Sequence, residues 1–231
     1  MFKFILLYLF LLPALVNNQE SFLAKRERMV KDQIEKRGIV DSATLKAMRS
    51  VKRHLFVPNR FIENAYEDGP LPIGYGQTIS QPYIVAYMTQ MVNPTPKSKV
   101  LEIGCGSGYQ SAVLAEIIDS VYTIEIIPEL GQKASKRLAS LDYKNVQVKI
   151  ADGYFGWSEH APFDAIVVTA AAEFIPPPLI KQLKDGGRII IPVGSPFMTQ
   201  MLMLVEKNGD KVTTKSLFPV RFVPFRRSKN K

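Results

Sequence analysis

Residues 99–118, "KVLEIGCGSGYQSAVLAEII", carry three signals in succession. The run 99–103 is short and mostly apolar, as a buried strand is. Gly104, Gly106 and Gly108 then mark a turn, and the apolar residues that follow recur with helical spacing. Strand, glycine turn and helix in that order form the opening unit of an α/β sheet. The spacing is G-x-G-x-G. A dinucleotide fingerprint is G-x-G-x-x-G, and Tyr109 stands where its third glycine would fall. Glu102 lies just before the turn. A carboxylate there opposes a pyrophosphate and favours a ligand with positive charge.

The alternation continues downstream. Residues 121–125, 145–150, 163–170 and 188–193 read as further strands. The run 163–170 is almost wholly apolar, as a strand covered on both faces should be. Helices are expected at 128–141, opened by Pro128, and at 177–187, stopped by Gly186 and Gly187. Residues 201–220 hold two β-prone runs around Asn208-Gly209, a hairpin signal. The fold class is therefore α/β: a doubly wound, mostly parallel sheet with antiparallel strands at its C-terminal end.

Upstream of the glycine turn the chain reads as helical. Residues 21–37 place Phe22, Leu23, Val30 and Ile34 roughly on one face, and Gly38 ends the run. Asp41 is suited to cap a second helix carrying Leu45, Met48 and Val51. Residues 84–92 have helical periodicity again. The expected division is one domain over 19–231, with a helical lead-in and substrate loop at 19–96 and a sheet core at 97–231.

Two more carboxylates fall in register with Glu102. Glu125 ends the second strand, where a carboxylate can accept hydrogen bonds from a ribose diol. Asp152, with Gly153 after it, follows the third strand, where an acid can accept from an exocyclic amine such as adenine's. Singly, these could be a tight turn, an exposed strand end and an Asp-Gly turn. Together they suit a positively charged nucleoside without phosphate, a description that S-adenosylmethionine fits.

Composition narrows the chemistry. Cys105 is the one cysteine, so no intramolecular disulfide can form; His54 and His160 are the only histidines, and no metal site is expected. His54 reads as packing or surface, Cys105 as a small buried or cofactor-wall residue, and Phe155 and Trp157 as core. The formal net charge is +9. Basic residues are interspersed with apolar ones in 25–37, 46–60 and 221–231, which reads as a solvated face more than a nucleic-acid surface.

The stretch 70–83, "PLPIGYGQTISQPY", contains no acid, base or sulfur nucleophile. Together with "VLEIGCGSGYQ", "FDAIVVTAA" and "RFVP", it resembles the protein-L-isoaspartate O-methyltransferases over about residues 21–224. The "GQTISQP" part is specific to that family, whereas the glycine loop is common to many methyltransferases. The resemblance implies a Rossmann-like methyltransferase fold, S-adenosylmethionine as cofactor, and repair of damaged proteins and peptides. The α-carboxyl of an L-isoaspartyl (or D-aspartyl) residue is methylated, and the ester then cyclises to a succinimide. It implies that Ser80 orients the acceptor carboxylate, that Thr78 and Ile79 supply backbone and wall, and that Val223 contacts the substrate main chain. Glu102, Gly104, Gly106, Gly108, Glu125, Asp152 and Gly153 are the expected cofactor residues. No base is required: a carboxylate with a pKa of about 3.5–4 is already ionised at neutral pH.

Three rivals are weighed. An RNA or DNA methyltransferase suits the charge. Exocyclic-amine methyltransferases, however, carry an Asn/Asp-Pro-Pro-aromatic motif after the fourth strand, where this chain has residues 169–172, "TAAA". An NAD-dependent oxidoreductase is opposed by the glycine spacing of this chain and by its lack of a Tyr-x-x-x-Lys or His-based hydride site. A non-catalytic module on the same fold is the third. Residues 1–18 stand apart: Lys3 and an apolar run over 4–16 resemble a signal-peptide core, without a clear cleavage site. Either an anchor holds a cytoplasmic catalytic domain, or the protein is exported; Lys25, Arg26, Arg28 and Lys31 favour the anchor. A monomer is expected.

Overall fold

The computed structural model describes residues 20–195 and 197–228, so the readings of residues 1–18 lie outside the described residues. The lead-in opens with α1 (Phe22–Arg28), capped by Ser21, and the helical path continues through a π-turn, Met29–Ile34, and a 3-10 turn, Glu35–Arg37. Gly38 ends it at φ 90°. Asp41 accepts from Thr44 N at 2.8 Å and starts α2 (Ser42–Ser50), as the sequence predicts. The segment after α2 packs inward. Arg53 is buried with its guanidinium 4.8 Å from the Tyr109 ring, and His54 stacks on Phe22 at 4.2 Å.

The glycine- and proline-framed stretch forms a small hairpin, β1 (Leu71–Gly74) with β2 (Gln77–Ile79). Reading it as a plain loop missed this pairing. Tyr75 and Gly76 turn the corner at φ 55° and 71°, the left-handed pair that a tight hairpin needs. Helix α3 (Pro82–Val92) follows at once, with proline in its first turn, where the missing N–H costs nothing.

The sheet core then runs β3 (Lys99–Ile103), α4 (Tyr109–Ala115), β4 (Ser120–Glu125), α5 (Pro128–Ser140), β5 (Val146–Ile150), β6 (Phe163–Val168), α6 (Pro177–Lys181), β7 (Leu183–Val193), β8 (Gln200–Asn208) and β9 (Lys211–Val220). The spatial order is β5-β4-β3-β6-β7-β8-β9, parallel from β5 to β7 and antiparallel beyond. The chain leaves β3 toward β4 and β5, then returns to β6 on the other side. Ligands bind outside the carboxyl ends of strands at such a switch point.

One expected helix is too long. It ends at Lys181, and Gly186 and Gly187 lie inside β7 at a register shift opposite β6. Glycines can mark a bulge as readily as a helix end, and pairing with β6 decides it here. Both faces of the parallel strands are covered by apolar clusters. Leu101, Ile103, Ile166 and Ile189 fill one side, and Val100, Val167, Ile190 and Leu202 the other. Each such side chain contributes about 1.5–3 kcal/mol on burial. Among the described residues, no helix is long and apolar enough to cross a membrane.

Candidate active site

The switch point fixes the site. Gly104, Gly106 and Gly108 all have positive φ, 98°, 53° and 88°. Thr169, at the end of β6, donates from Oγ1 to the carbonyls of Ile103 at 3.0 Å and Gly104 at 2.7 Å. A Cβ at Gly104 would stand 2.5 Å from that oxygen, so the turn requires glycine for space as well as for φ. Arg137 of α5 holds the Ser107 carbonyl at 2.8 Å. The backbone is thus bound tightly to the sheet edge, with open space in front of it.

Glu125 ends β4 with both oxygens in use: Oε2 accepts from Gly106 N at 2.7 Å and Oε1 from Ile127 N at 2.9 Å. Each oxygen retains a lone pair for a diol. Glu102 is different. It is completely buried in the middle of the sheet, one oxygen accepts from the Ser111 hydroxyl, and Oε1 has no partner. Burial pushes its pKa up to about 8; the Ser111 and Thr123 hydroxyls oppose this and the Glu125 charge adds to it. Among the described residues, no arginine, lysine or histidine is hydrogen-bonded or ion-paired to it.

Asp152 follows β5 and caps a short turn through Tyr154 N at 3.0 Å. Its other oxygen is held by the end of the chain: Arg227 Nε at 2.9 Å, and Ser228 N and Oγ each at 3.0 Å. Burial pulls its pKa upward, and the Arg227, Ser228 and Tyr154 hydrogen bonds outweigh that and hold it below the ordinary value. Gly153 lines the crevice. The same C-terminal segment crosses to the hairpin, where Arg226 donates to the Tyr75 carbonyl at 3.1 Å.

Thr78, Ile79 and Ser80 form the opposite wall, with Val223 beside them. Ser80 does not cap α3: Gln81 occupies the cap position, and its amide reaches Asp68 Oδ1 at 2.7 Å instead. The Ser80 hydroxyl makes no hydrogen bond among the described residues and borders the crevice. One lining therefore contains Ser80, Thr78, Ile79, Val223, Glu102, Gly104, Gly106, Glu125 and Gly153; Gly108 stands behind it as the first cap of α4, and the Asp152 side chain turns toward Arg227.

Other expectations resolve simply. Cys105 is buried and desolvation pushes its thiol far up, so it is a wall rather than a nucleophile. Trp157 packs edge-on against Tyr122 at 5.5 Å. Phe155 is 57% exposed, against the expectation of a core residue; its ring lies 5.3 Å from Tyr154 and from the Arg227 guanidinium. Four contributors were not assigned from sequence: Thr169, Ser111, Arg137 and Arg227. Ser111 follows Gly108 by three, which places it on the inward face of α4 and was readable. The contacts of Arg137 and Arg227 depend on chain paths that no local pattern encodes.

The residues fit a sulfonium nucleoside. The unpartnered oxygen of Glu102 is a buried acceptor on a crevice whose lining arginine, Arg226, is directed to the Tyr75 carbonyl instead. Two carboxylates on the inner wall repel a pyrophosphate. The glycine turn lets a ligand approach the backbone closely.

Comparison with known proteins agrees. Residues 24–230 match the family model for protein-L-isoaspartate(D-aspartate) O-methyltransferase. The chain is 58% identical over 205 residues to a protein-L-isoaspartate O-methyltransferase of Opitutus terrae, covering 89% of this chain and 88% of that one. It is 52% identical over 228 residues to one of Shewanella sediminis, covering 97% and 93%. A solved protein-L-isoaspartate O-methyltransferase superposes with a TM-score of 0.80 at 29% identity, covering 86% of this chain and 65% of that one. A Plasmodium falciparum structure described as a member of the same enzyme class, in complex with S-adenosyl-L-homocysteine, gives 0.75 at 25% identity, covering 87% and 98%. Glycine turn, carboxylates, hairpin wall and these likenesses lead to one statement: the chain belongs to the protein-L-isoaspartate(D-aspartate) O-methyltransferase family and is an S-adenosylmethionine-dependent methyltransferase that repairs isoaspartyl residues in damaged proteins.

Proposed function

We propose that this chain performs the transfer by alignment and charge placement, without a residue acting as base. Bound S-adenosylmethionine supplies an electrophilic methyl group whose thioether leaves uncharged. Glu102 offers its free oxygen to the cationic end of the cofactor, and Glu125 accepts from the ribose. Gly104, Gly106, Gly108 and Gly153 let the backbone come close. Asp152 exchanges Arg227 and Ser228 for the exocyclic amine, so the C-terminal segment must shift when the cofactor enters.

On the other wall, Ser80 donates its hydroxyl to one oxygen of the acceptor carboxylate and so fixes the direction of the second. Thr78 and Ile79 exclude water, and Val223 abuts the substrate main chain. Alignment of this kind is worth about 7–11 kcal/mol when the geometry is right. Neither histidine lines the crevice. None is needed, because the attacking group carries no proton to lose.

The observation that carries this reading is the buried, half-partnered Glu102 facing the same crevice as the unengaged Ser80 hydroxyl. The test is methyl transfer to an isoaspartyl peptide and to its aspartyl twin, with Ser80→Ala alongside. Label in the isoaspartyl peptide alone, reduced by Ser80→Ala while cofactor affinity is kept, supports it; transfer unchanged by Ser80→Ala contradicts it. Both walls come from one chain, which supports action as a monomer. For residues 1–18 we infer an anchor that leaves the catalytic domain in the cytoplasm; fractionating cells that express the chain with and without them tests this, and recovery outside the cytoplasm contradicts it.

A further inference from the structure

A second groove opens from the acceptor side of the crevice. It shares Thr78, Ser80, Thr169 and Val223 with the first and extends away from Glu102. Its walls mix aromatic and polar groups, with Tyr83, Phe218 and Phe222 prominent, and among the described residues no aspartate or glutamate lines it. Two arginines do. Arg37 is already engaged: it pairs with Asp68 through contacts of 3.1 Å and lies 3.7 Å over the Tyr83 ring. Arg221 is exposed and makes no hydrogen bond or ion pair among the described residues.

The backbone around Arg221 is nonetheless fixed. Val220 pairs with Gln200 in the sheet, and Phe222 N donates to Gln200 Oε1 at 2.9 Å. The groove is continuous with the Ser80 wall, so it offers a path for the residues that flank an isoaspartyl carboxylate placed there, and Arg221 stands in it two positions before Val223. An uncompensated guanidinium on a carboxylate-free wall attracts acidic side chains and repels basic ones.

We propose that Arg221 is a specificity-determining residue: it selects isoaspartyl substrates with aspartate or glutamate beside the damaged position and disfavours those with lysine or arginine there. The inference rests on the placement of the acceptor carboxylate at Ser80. Because Arg221 is solvent-exposed, its contribution is modest and sensitive to salt.

The experiment compares isoaspartyl hexapeptides carrying alanine, glutamate or lysine at each of the two positions on either side of the isoaspartyl residue. kcat/KM is measured at low salt, and peptide Kd is followed by fluorescence anisotropy in the presence of S-adenosylhomocysteine. At the responsive position, glutamate should gain about threefold over alanine and lysine should lose about threefold, the size of an exposed ion pair. The preference should be retained in Arg221→Lys, vanish in Arg221→Ala and invert in Arg221→Glu. Equal use of all peptides by the wild type, or a preference that survives in Arg221→Glu, overturns the inference and leaves the Ser80 reading standing. No methylation of any isoaspartyl peptide overturns both.

Discussion

The crevice has two ends, closed by different means. The inner end lies under the glycine turn and is built from the sheet: Glu102 and Glu125 on neighbouring strands, Thr169 on the next, Ser111 on the helix behind. The outer end is closed by the last residues of the chain, which reach Asp152 and the hairpin through Arg227, Ser228 and Arg226. Their carboxylates contrast in the same way. Glu102 is buried without a cation and its pKa is pushed up to about 8; Asp152 has a guanidinium beside it and is held below the ordinary range. The inner end is preformed and lacks only charge. The outer end is satisfied already and must give up contacts. Under the proposed reading, a site made this way binds at a rigid base and admits ligand by moving a strap.

The sharpest way to break this contrast is to neutralise the inner end. Glu102→Gln should weaken S-adenosylmethionine binding about 100-fold in calorimetry, the scale for removing one partner of a buried pair. The same variant should be the more stable one without ligand. The Glu102 pKa lies above its unfolded value, so the folded protein holds extra protons between about pH 4.5 and 8 and loses stability as pH rises through that window. At pH 9 Glu102→Gln should therefore melt about 5 °C or more above the wild type, for a relieved penalty on the order of 2 kcal/mol. A variant that melts lower there would mean that the carboxylate stabilises the empty fold, against the assignment.

Next in size is Ser80→Ala, on the wall both ends share. A lost donor to a reacting oxygen costs about 30- to 100-fold in kcat/KM, with cofactor Kd kept within about twofold. Should cofactor binding fall equally, Ser80 would belong to the cofactor wall instead. The smallest effect belongs to the outer end. Arg227→Ala removes one of the three contacts on Asp152 Oδ2 and should tighten S-adenosylhomocysteine about threefold, the worth of a part-exposed pair. Weaker binding would make Arg227 part of the binding wall rather than a strap that has to leave.

What was legible in the sequence follows the same line. The inner end is local: glycines within one turn, and acids at the ends of consecutive strands, are readable because strand order and turn chemistry place them. The Asn208-Gly209 hairpin and the Asp41 cap were readable for the same reason. Gly186 and Gly187 were misread because a bulge in β7 and a helix end carry the same glycine signal, and only pairing with β6 separates them. The hairpin at 71–79 was hidden by its prolines. The role of residues 226–228 was unreadable, since contacts between Asp152 and Arg227 or Ser228 depend on where a tail lies after the whole sheet has formed.

The central claim is that a cationic cofactor takes the place of a proton on Glu102. Calorimetric titration of S-adenosylmethionine at pH 7, in two buffers of different ionisation enthalpy, reads that exchange directly. With a pKa of about 8 in the empty site, nearly one proton should leave the wild type for each cofactor bound, and none should leave Glu102→Gln. Equal heats in both buffers for the wild type would contradict the account.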